Sequence, residues 1–227
     1  MNILLIDDHF CAREGVTLLL RQMLPETTVY EAEDVGDGLA IARDTPLNLV
    51  LLDVQLPGKN GCAGLVELKR EFPSLCVVMF SGLDDRELVF ECLRLGAMGF
   101  IPKTVSRQVF VEALRDVLSG RPYLPVSAFD GGTVIAALGH TKDYPAGIRP
   151  VHNPGMPGLT PREFEVLGWL VQGKCNKDIA RRLGIGEQTV KNHLRPIFQK
   201  FGVTRRTELL VKVYELGMVF GSPEVGN

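Results

Sequence analysis

Hydrophobic and polar positions are spaced in two different ways along this chain of 227 residues. In the first 120 residues short apolar runs alternate with amphipathic stretches, whereas after residue 158 the apolar spacing is helical throughout. The apolar runs that predict β-strands are Ile3–Ile6, Thr28–Glu31, Leu47–Leu52, Cys76–Phe80 and Gly99–Ile101. Amphipathic spacing predicts helices near residues 11–23, 36–43, 62–71, 84–95 and 105–118.

Five strand–helix repeats predict an α/β fold with a five-stranded, doubly wound (flavodoxin-like) parallel sheet. Helices cover both faces of such a sheet, which is why its strands are apolar without interruption. Ligands of doubly wound sheets bind beyond the carboxyl ends of the strands. The residues that directly follow each predicted strand are therefore the candidates for a binding site.

The C-terminal part of the chain predicts an all-α domain of four helices, which begin near Thr160, Asn176, Glu187 and Arg206. The sequence TPRE at residues 160–163 has the spacing of a capping box, with proline in the favoured first helical position. Residues 121–158 contain six Pro and six Gly, which predicts a linker. The predicted domains are thus residues 1–120 and 159–220, joined by the linker 121–158.

Composition is that of an ordinary globular protein, with 45% hydrophobic and 23% charged residues. The charge is unevenly distributed: residues 1–120 carry a net charge of −7, residues 121–158 of +1 and residues 159–227 of +4. A basic C-terminal part favours nucleic acid as its partner. No apolar run approaches the roughly 20 residues of a membrane span. The segment MNILLIDD lacks the charge pattern of a signal peptide, so a cytoplasmic location with no membrane partner is predicted.

The five cysteines form no CxxC pair and have no histidine at finger-like spacing, which disfavours a zinc site. Their odd number predicts free, mostly buried thiols.

Acidic residues follow two of the predicted strands. Asp7 and Asp8 come directly after the first strand, and Asp53 directly after the third. The doubly wound topology brings these strand ends together, where three carboxylates need a neutralising cation such as Mg²⁺. Ser81 and Lys103 follow the fourth and fifth strands. Acids, a metal, a hydroxyl and an ammonium group together suit phosphoryl transfer to a carboxylate.

The motifs IDDH, LLDVQLPGKNG, FSG and GFIPK make residues 1–120 resemble the receiver domain of response regulators. The resemblance implies that Asp53 accepts a phosphoryl group from a sensor histidine kinase. It also implies that Asp7, Asp8, Asp53 and the Gln55 carbonyl hold Mg²⁺. Ser81 and Lys103 would contact the phosphoryl oxygens, and Phe100 would be the aromatic residue that changes rotamer on activation.

The third predicted C-terminal helix has an apolar and a polar face. Its apolar stripe consists of Val190, Leu194, Ile197, Phe198 and Phe201. The opposite face carries polar and basic residues that can contact phosphates and base edges in the major groove, namely Gln188, Lys191, Asn192 and Arg195. A short helix and a turn at 183–186 precede this helix, which predicts a helix-turn-helix.

Residues 159–219 resemble the LuxR-type helix-turn-helix through LTPREFEVL, NKDIARRLGI, TVKNHL and KFGVTRRTELL. Together with the receiver motifs, the chain is similar to response regulators of the NarL/FixJ type. The resemblance implies contact with double-stranded DNA by Lys191, Asn192 and Arg195, supported by Thr189 and His193. It also implies a homodimer in the active state, paired through the last helix around residues 209–214.

Three positions depart from this family's pattern. Pro196 lies inside the predicted reading helix and removes a hydrogen bond to the Asn192 carbonyl, at a cost of about 3 kcal/mol, so we expect a kink or an early end near Arg195. Cys175 and Gly186 stand at the N-cap positions of the two motif helices, where they predict weak caps.

The predicted function is therefore a transcription regulator, not an enzyme, in which phosphorylation of Asp53 controls DNA binding. A second hypothesis is a phosphorylation-independent DNA-binding regulator that uses the first domain for docking or dimerisation. An aspartyl-phosphate hydrolase resembling haloacid dehalogenases needs a DxD pair, which Asp8-His9-Phe10 lacks. A LuxR protein that senses a small molecule has no reason to place acids at two strand ends.

Overall fold

The computed structural model describes residues 1–58, 60–125, 158–216 and 218. Strands and helices alternate in its N-terminal part, as the sequence predicts. The elements are β1 (Asn2–Ile6), α1 (Phe10–Met23), β2 (Thr28–Ala32), α2 (Val35–Asp44), β3 (Leu49–Leu52), α3 (Gly61–Glu71), β4 (Val77–Ser81), α4 (Arg86–Arg94), β5 (Gly99–Pro102) and α5 (Arg107–Leu118). The predicted α/β architecture is confirmed.

The five strands form one parallel sheet in the order β2-β1-β3-β4-β5. Every residue of the three strands β3, β4 and β5 is buried, because helices cover both faces of the sheet. Ile6 pairs with Leu52, the last residues of β1 and β3. This register places Asp7 and Asp53, the next residues along each strand, beside one another at the carboxyl edge of the sheet.

Helices α1 and α5 pack on one face of the sheet, against a core that includes Ile3, Leu5 and Ile101. Phe100 is fully buried and, because side chains alternate along a strand, it points to the opposite face from Ile101. The chain stays packed on this domain after α5, since Tyr123 is buried in the same core and its carbonyl accepts the Phe100 N–H at 2.9 Å. Residues 126–157 of the predicted linker lie outside the described residues.

The described C-terminal residues form four helices, as predicted, without any strand. They are α6 (Pro161–Val171), α7 (Asn176–Leu183), α8 (Glu187–Phe201) and α9 (Arg206–Glu215). The apolar stripe of α8 faces the core of this domain, where Val190, Leu194, Ile197 and Phe201 are buried and Phe198 packs against them. Arg206 is half-buried at the start of α9 and donates to the carbonyls of Leu170 and Lys174, so it closes the C-terminal end of α6.

Helices α7 and α8 are joined by a tight turn. Gly184 ends α7 in the left-handed conformation at φ 64°, which a glycine adopts without strain. Both weak caps are confirmed: Cys175 and Gly186 occupy the N-cap positions of α7 and α8, and neither side chain makes a capping hydrogen bond. The Cys175 thiol donates instead to the Asp178 carboxylate at 3.2 Å.

The early end of α8 that Pro196 predicts is wrong. The helix continues through Pro196 to Phe201. The physical reason is packing: Ile197 and Phe201, which follow the proline, are buried in the core, and their burial offsets the roughly 3 kcal/mol that an internal proline costs. A bend of the helix axis near Arg195 stays a prediction.

The predicted capping box at the start of α6 is confirmed. Thr160 Oγ1 accepts the Glu163 N–H at 3.2 Å, and the Glu163 carboxylate accepts the Thr160 N–H at 2.7 Å. The same carboxylate oxygen accepts a 2.6 Å hydrogen bond from Lys200 Nζ near the end of α8. Glu163 therefore ties the first turn of α6 to α8, and the hydrogen bond from Lys200, followed by that from Thr160, lowers its pKa.

This lowered pKa makes the C-terminal domain sensitive to acid. Because the Glu163 carboxylate titrates lower in the folded than in the unfolded chain, its contribution to stability is complete at neutral pH. That contribution is lost as the pH falls below the ordinary glutamate value of about 4.3. The variant Glu163→Gln keeps a capping side chain without the charge, and we expect it to lose about 1 kcal/mol at pH 7 and less than that at pH 3, because the carboxylate becomes protonated as the pH falls through its lowered pKa.

Urea unfolding followed by fluorescence measures this effect in the full chain, because the one tryptophan, Trp169, lies in α6. Glu165→Gln is the matched control, since Glu165 is half exposed and pairs with Arg162 of the same helix. An equal loss for Glu163→Gln at pH 3 and pH 7 would contradict the role of the charge.

None of the described helices is long and apolar enough to pass through a membrane.

Candidate functional site

The carboxyl edge of the sheet brings the three predicted acids together. Asp7 and Asp53 are buried and Asp8 is exposed beside them. Carboxylate oxygens of all three and a ring nitrogen of His9 lie within 4.8 Å of one another. Backbone hydrogen bonds hold this arrangement, since the Asp53 N–H donates to the Ile6 carbonyl at 2.9 Å and the Asp7 N–H to the Ala32 carbonyl at 3.1 Å. The site is therefore built by strand pairing.

Lys103 reaches into this acidic group from the end of β5. Its Nζ lies 2.7 Å from Asp53 Oδ2 and 2.7 Å from Asp7 Oδ2. Burial by itself lowers the pKa of Lys103, but its hydrogen bonds and charge interactions with Asp53 and Asp7 outweigh burial, and the pKa lies above its ordinary value. The ammonium group is thus held charged between the two buried carboxylates.

Gly61 fits closely under the Asp53 backbone. Its N–H donates to the Val54 carbonyl at 2.9 Å. A side-chain Cβ at this position would lie 1.9 Å from the Asp53 carbonyl oxygen and 2.7 Å from Val54 Cα. Only glycine allows α3 to begin so close to the acidic group. Gly61 is a site residue that was missed from sequence, although it ends the motif LLDVQLPGKNG.

Two further residues near the acids were missed from sequence. His9 Nδ1 lies 2.9 Å from Asp8 Oδ1. The backbone N–H of His9 donates to Asp7 Oδ1 at 2.9 Å. Arg13 is buried one turn further along and donates to the Asp7 carbonyl at 2.6 Å and to Glu33 at 2.6 Å. The signal for His9 was its position directly after Asp8, but nothing in the spacing marks Arg13, because its partners come from two separate segments.

Of the other predicted site residues, Ser81 and Gln55 lie at the same edge of the sheet, and Phe100 lies within β5. Ser81 is fully buried at the end of β4, where its hydroxyl accepts the Leu83 N–H at 3.2 Å and its carbonyl accepts the Lys103 N–H at 2.7 Å. Gln55 is exposed, and its N–H donates to Asp53 Oδ1 at 3.2 Å. Phe100 is a core residue of β5. The structure brings carboxylate oxygens of Asp7, Asp8 and Asp53 within 4.8 Å of one another, and Lys103 Nζ contacts Asp7 and Asp53.

The donor set fits a hard divalent cation. Asp7 is fully buried, and the contact of its Oδ2 with Lys103 Nζ at 2.7 Å leaves this oxygen a lone pair for a metal ion. Carboxylate oxygens are the ligands that Mg²⁺ prefers, while exposed Asp8 leaves room for the waters that this ion retains.

A second candidate site is the outward face of α8. Gln188, Thr189, Lys191, Asn192 and Arg195 are exposed and His193 is half-buried. The Gln188 side chain donates to Asn192 Oδ1 at 3.2 Å, so these two amides share one strip of the helix. In α9, by contrast, Leu209, Leu210 and Val213 are buried in the core of their own domain and Lys212 is exposed.

Comparison with protein-family models matches both parts of the chain. Residues 3–115 match the response regulator receiver domain, and residues 157–213 match the LuxR family of bacterial regulatory proteins.

Relatives match almost the whole chain. The nitrate/nitrite response regulator NarL of Escherichia coli K12 is 34% identical over 94% of this chain and 95% of its own length. The glycerol metabolism activator of Pseudomonas putida is 31% identical over 95% of this chain and 96% of its own length.

Solved structures agree with these matches. A LuxR family DNA-binding response regulator from Silicibacter pomeroyi is 39% identical with a TM-score of 0.51, over 56% of this chain and 98% of that one. A structure of RcsB from Salmonella typhimurium, 22% identical with a TM-score of 0.53, covers 94% of this chain and 99% of that one and supports the fold alone. This chain therefore belongs to the family of transcriptional response regulators that join a receiver domain to a LuxR-type helix-turn-helix.

Proposed function

We propose that Asp53 is the phosphoryl acceptor and that its phosphorylation controls DNA binding by α8. The assignment of Asp53 as phosphoryl acceptor rests on its position. Asp53 is a buried carboxylate at a strand end, in contact with the charged Lys103 ammonium. A carboxylate oxygen of Asp53 attacks the phosphorus atom of the donor. The bond to the leaving group then breaks, and the leaving group takes the bonding electron pair.

Asp7, Asp8 and Asp53, with the Gln55 carbonyl, are the residues that would hold Mg²⁺. When bound, this ion supplies positive charge for the phosphoryl oxygens and offsets the repulsion among the three acids. Lys103 supplies a second positive charge from the end of β5, and the Ser81 hydroxyl offers a donor at the end of β4. Phe100 is the proposed aromatic switch in β5.

The donor class is an energy-rich phosphoryl compound, either the phosphohistidine of a sensor kinase or a small acyl phosphate. The phosphorylated side chain carries a charge of about −1.5 to −2 and three acceptor oxygens at the edge of the sheet. We propose that this change favours a homodimer whose two α8 helices meet paired half-sites about 34 Å apart or closer.

DNA recognition is assigned to the exposed face of α8. Lys191 and Arg195 suit phosphates and guanine, and Asn192 suits adenine. The hydrogen bond between Gln188 and Asn192 orients both amides towards the same groove. Thr189 and His193, which lie beside these residues on α8, would contact the DNA backbone.

Selection of bound DNA from random sequence, with and without an acyl phosphate, tests the whole proposal. We expect enriched paired sites, and an affinity that rises about 5- to 150-fold on addition of the donor, the usual range of coupling between two sites. Arg195→Ala should weaken binding by about 1–3 kcal/mol. The control variant Arg70→Ala removes an exposed charge of the same type from α3, and its affinity for DNA should not change.

If the affinity for DNA is the same with and without the acyl phosphate, the control by phosphorylation is contradicted, and the second hypothesis, a phosphorylation-independent DNA-binding regulator, is favoured. Equal losses for Arg195→Ala and Arg70→Ala would contradict the assignment to α8.

A further inference from the structure

Two cysteines of the receiver domain are in contact inside the fold. Cys62 Sγ lies 3.5 Å from Cys92 Sγ, across the boundary between α3 and α4. Cys92 is fully buried and Cys62 retains 7% exposure. The remaining cysteines are Cys11, which is exposed, and Cys76 and Cys175, which are half-buried. The sequence predicts free thiols but gives no sign of this pair, whose members are far apart along the chain.

We propose that Cys62 and Cys92 form a reversible disulfide when a peroxide oxidises the protein, and that this bond slows phosphoryl uptake by Asp53. The two sulfur atoms must approach from 3.5 Å to the disulfide length of about 2.05 Å.

The reaction needs only the two thiols and the peroxide. The Cys62 thiolate attacks one peroxide oxygen, the O–O bond breaks, and Cys62 becomes a sulfenic acid as hydroxide leaves. The Cys92 thiol then attacks the Cys62 sulfur, and the S–O bond breaks with release of water. The two sulfurs lose two electrons in total, and the peroxide gains them. A dithiol reductant reverses the change by thiol–disulfide exchange.

Position and environment make Cys62 the thiol that reacts first. It alone of the pair has contact with solvent, and it lies in the first turn of α3, where the helix N-terminus favours a thiolate. The hydrogen bond between the two sulfur atoms lowers the pKa of Cys62 and raises that of Cys92.

The disulfide would join the helices that follow two loops of the candidate site. Cys62 directly follows Gly61, which lies against the Asp53 carbonyl. Cys92 belongs to α4, which the loop after Ser81 leads into. A phosphoryl group on Asp53 adds charge and three acceptor oxygens between these loops, so the loops must adjust to receive it. A covalent bond between α3 and α4 opposes that adjustment. This second half of the inference rests on the proposed function of Asp53.

The test uses the full chain, reduced and then treated with hydrogen peroxide. Free thiols are alkylated, peptides are mapped by mass spectrometry, and phosphoryl uptake from acetyl phosphate is timed on the same samples. We expect a peptide linked through Cys62 and Cys92, uptake slowed by about fivefold or more, which corresponds to about 1 kcal/mol, and recovery with dithiothreitol. Cys76→Ala should behave like the original chain.

Cys92→Ala should retain its uptake rate after peroxide, and Cys62→Ala serves the same purpose if Cys92→Ala does not fold. Absence of the linked peptide, with both thiols still alkylated, overturns the inference. A linked peptide with unchanged uptake overturns its regulatory half. If the reduced chain takes up no phosphoryl group while the linked peptide forms, the proposed function of Asp53 fails and the disulfide itself stands.

Discussion

Replacement of Asp53 by asparagine is expected to abolish covalent phosphoryl uptake completely. Asparagine has nearly the same shape but lacks the anionic oxygen that attacks phosphorus. It also removes one of the two carboxylates that hold Lys103 Nζ at 2.7 Å, while the contact of Lys103 with Asp7 remains. The mass of the intact protein after incubation with acetyl phosphate and Mg²⁺ measures uptake directly.

The loss should not arise from unfolding. The substitution removes one of three negative charges that crowd within 4.8 Å, so the thermal midpoint of the receiver domain is expected to stay close to that of the original chain. Asp44→Asn makes the same chemical change at an exposed position of α2 and should leave uptake unaltered. Residual labelling of the Asp53→Asn protein would identify another residue as the acceptor.

Gly61→Ala is expected to disable the same site without touching a charged group. The new methyl would lie 1.9 Å from the Asp53 carbonyl oxygen and 2.7 Å from Val54 Cα, and both are backbone atoms that cannot rotate away. The loop between β3 and α3 must therefore move, at a cost of about 3 kcal/mol in the free energy of unfolding. Since a displacement of about 1 Å at a reacting group costs on the order of 100-fold in rate, uptake should fall by at least that factor.

Gly15→Ala is the matched control for this experiment. Gly15 lies inside α1, and a Cβ there would meet nothing within 4 Å. Alanine should stabilise the helix by about 0.5–1 kcal/mol and leave uptake unchanged. Chemical denaturation and the time course of uptake, measured on both variants, separate the two positions. Equal stability of Gly61→Ala and Gly15→Ala would show that the loop tolerates the methyl group.

Much of this protein can be predicted from the order of its residues because the relevant signals are local. Continuous apolar runs such as that of β3 mark buried parallel strands, and Thr160 with Glu163 marks the start of α6. Asp7, Asp53 and Lys103 could be assigned to one site since each directly follows a strand, and parallel strands end at the same edge. The early end of α8 predicted from Pro196 is wrong because a local signal was outweighed by a tertiary one, the packing of Ile197 and Phe201.

The sequence by itself determined the two folds, the acidic residues after the strands and the polar face of α8, because each follows from periodicity or from position relative to a strand end. Only the tertiary structure decided which groups meet across the chain. The Lys103 ammonium lies between Asp7 and Asp53, Gly61 lies against the Asp53 backbone, and Lys200 pairs with Glu163. The contact between Cys62 and Cys92 belongs to the same class. Such contacts depend on side-chain geometry between distant segments, which no local pattern encodes.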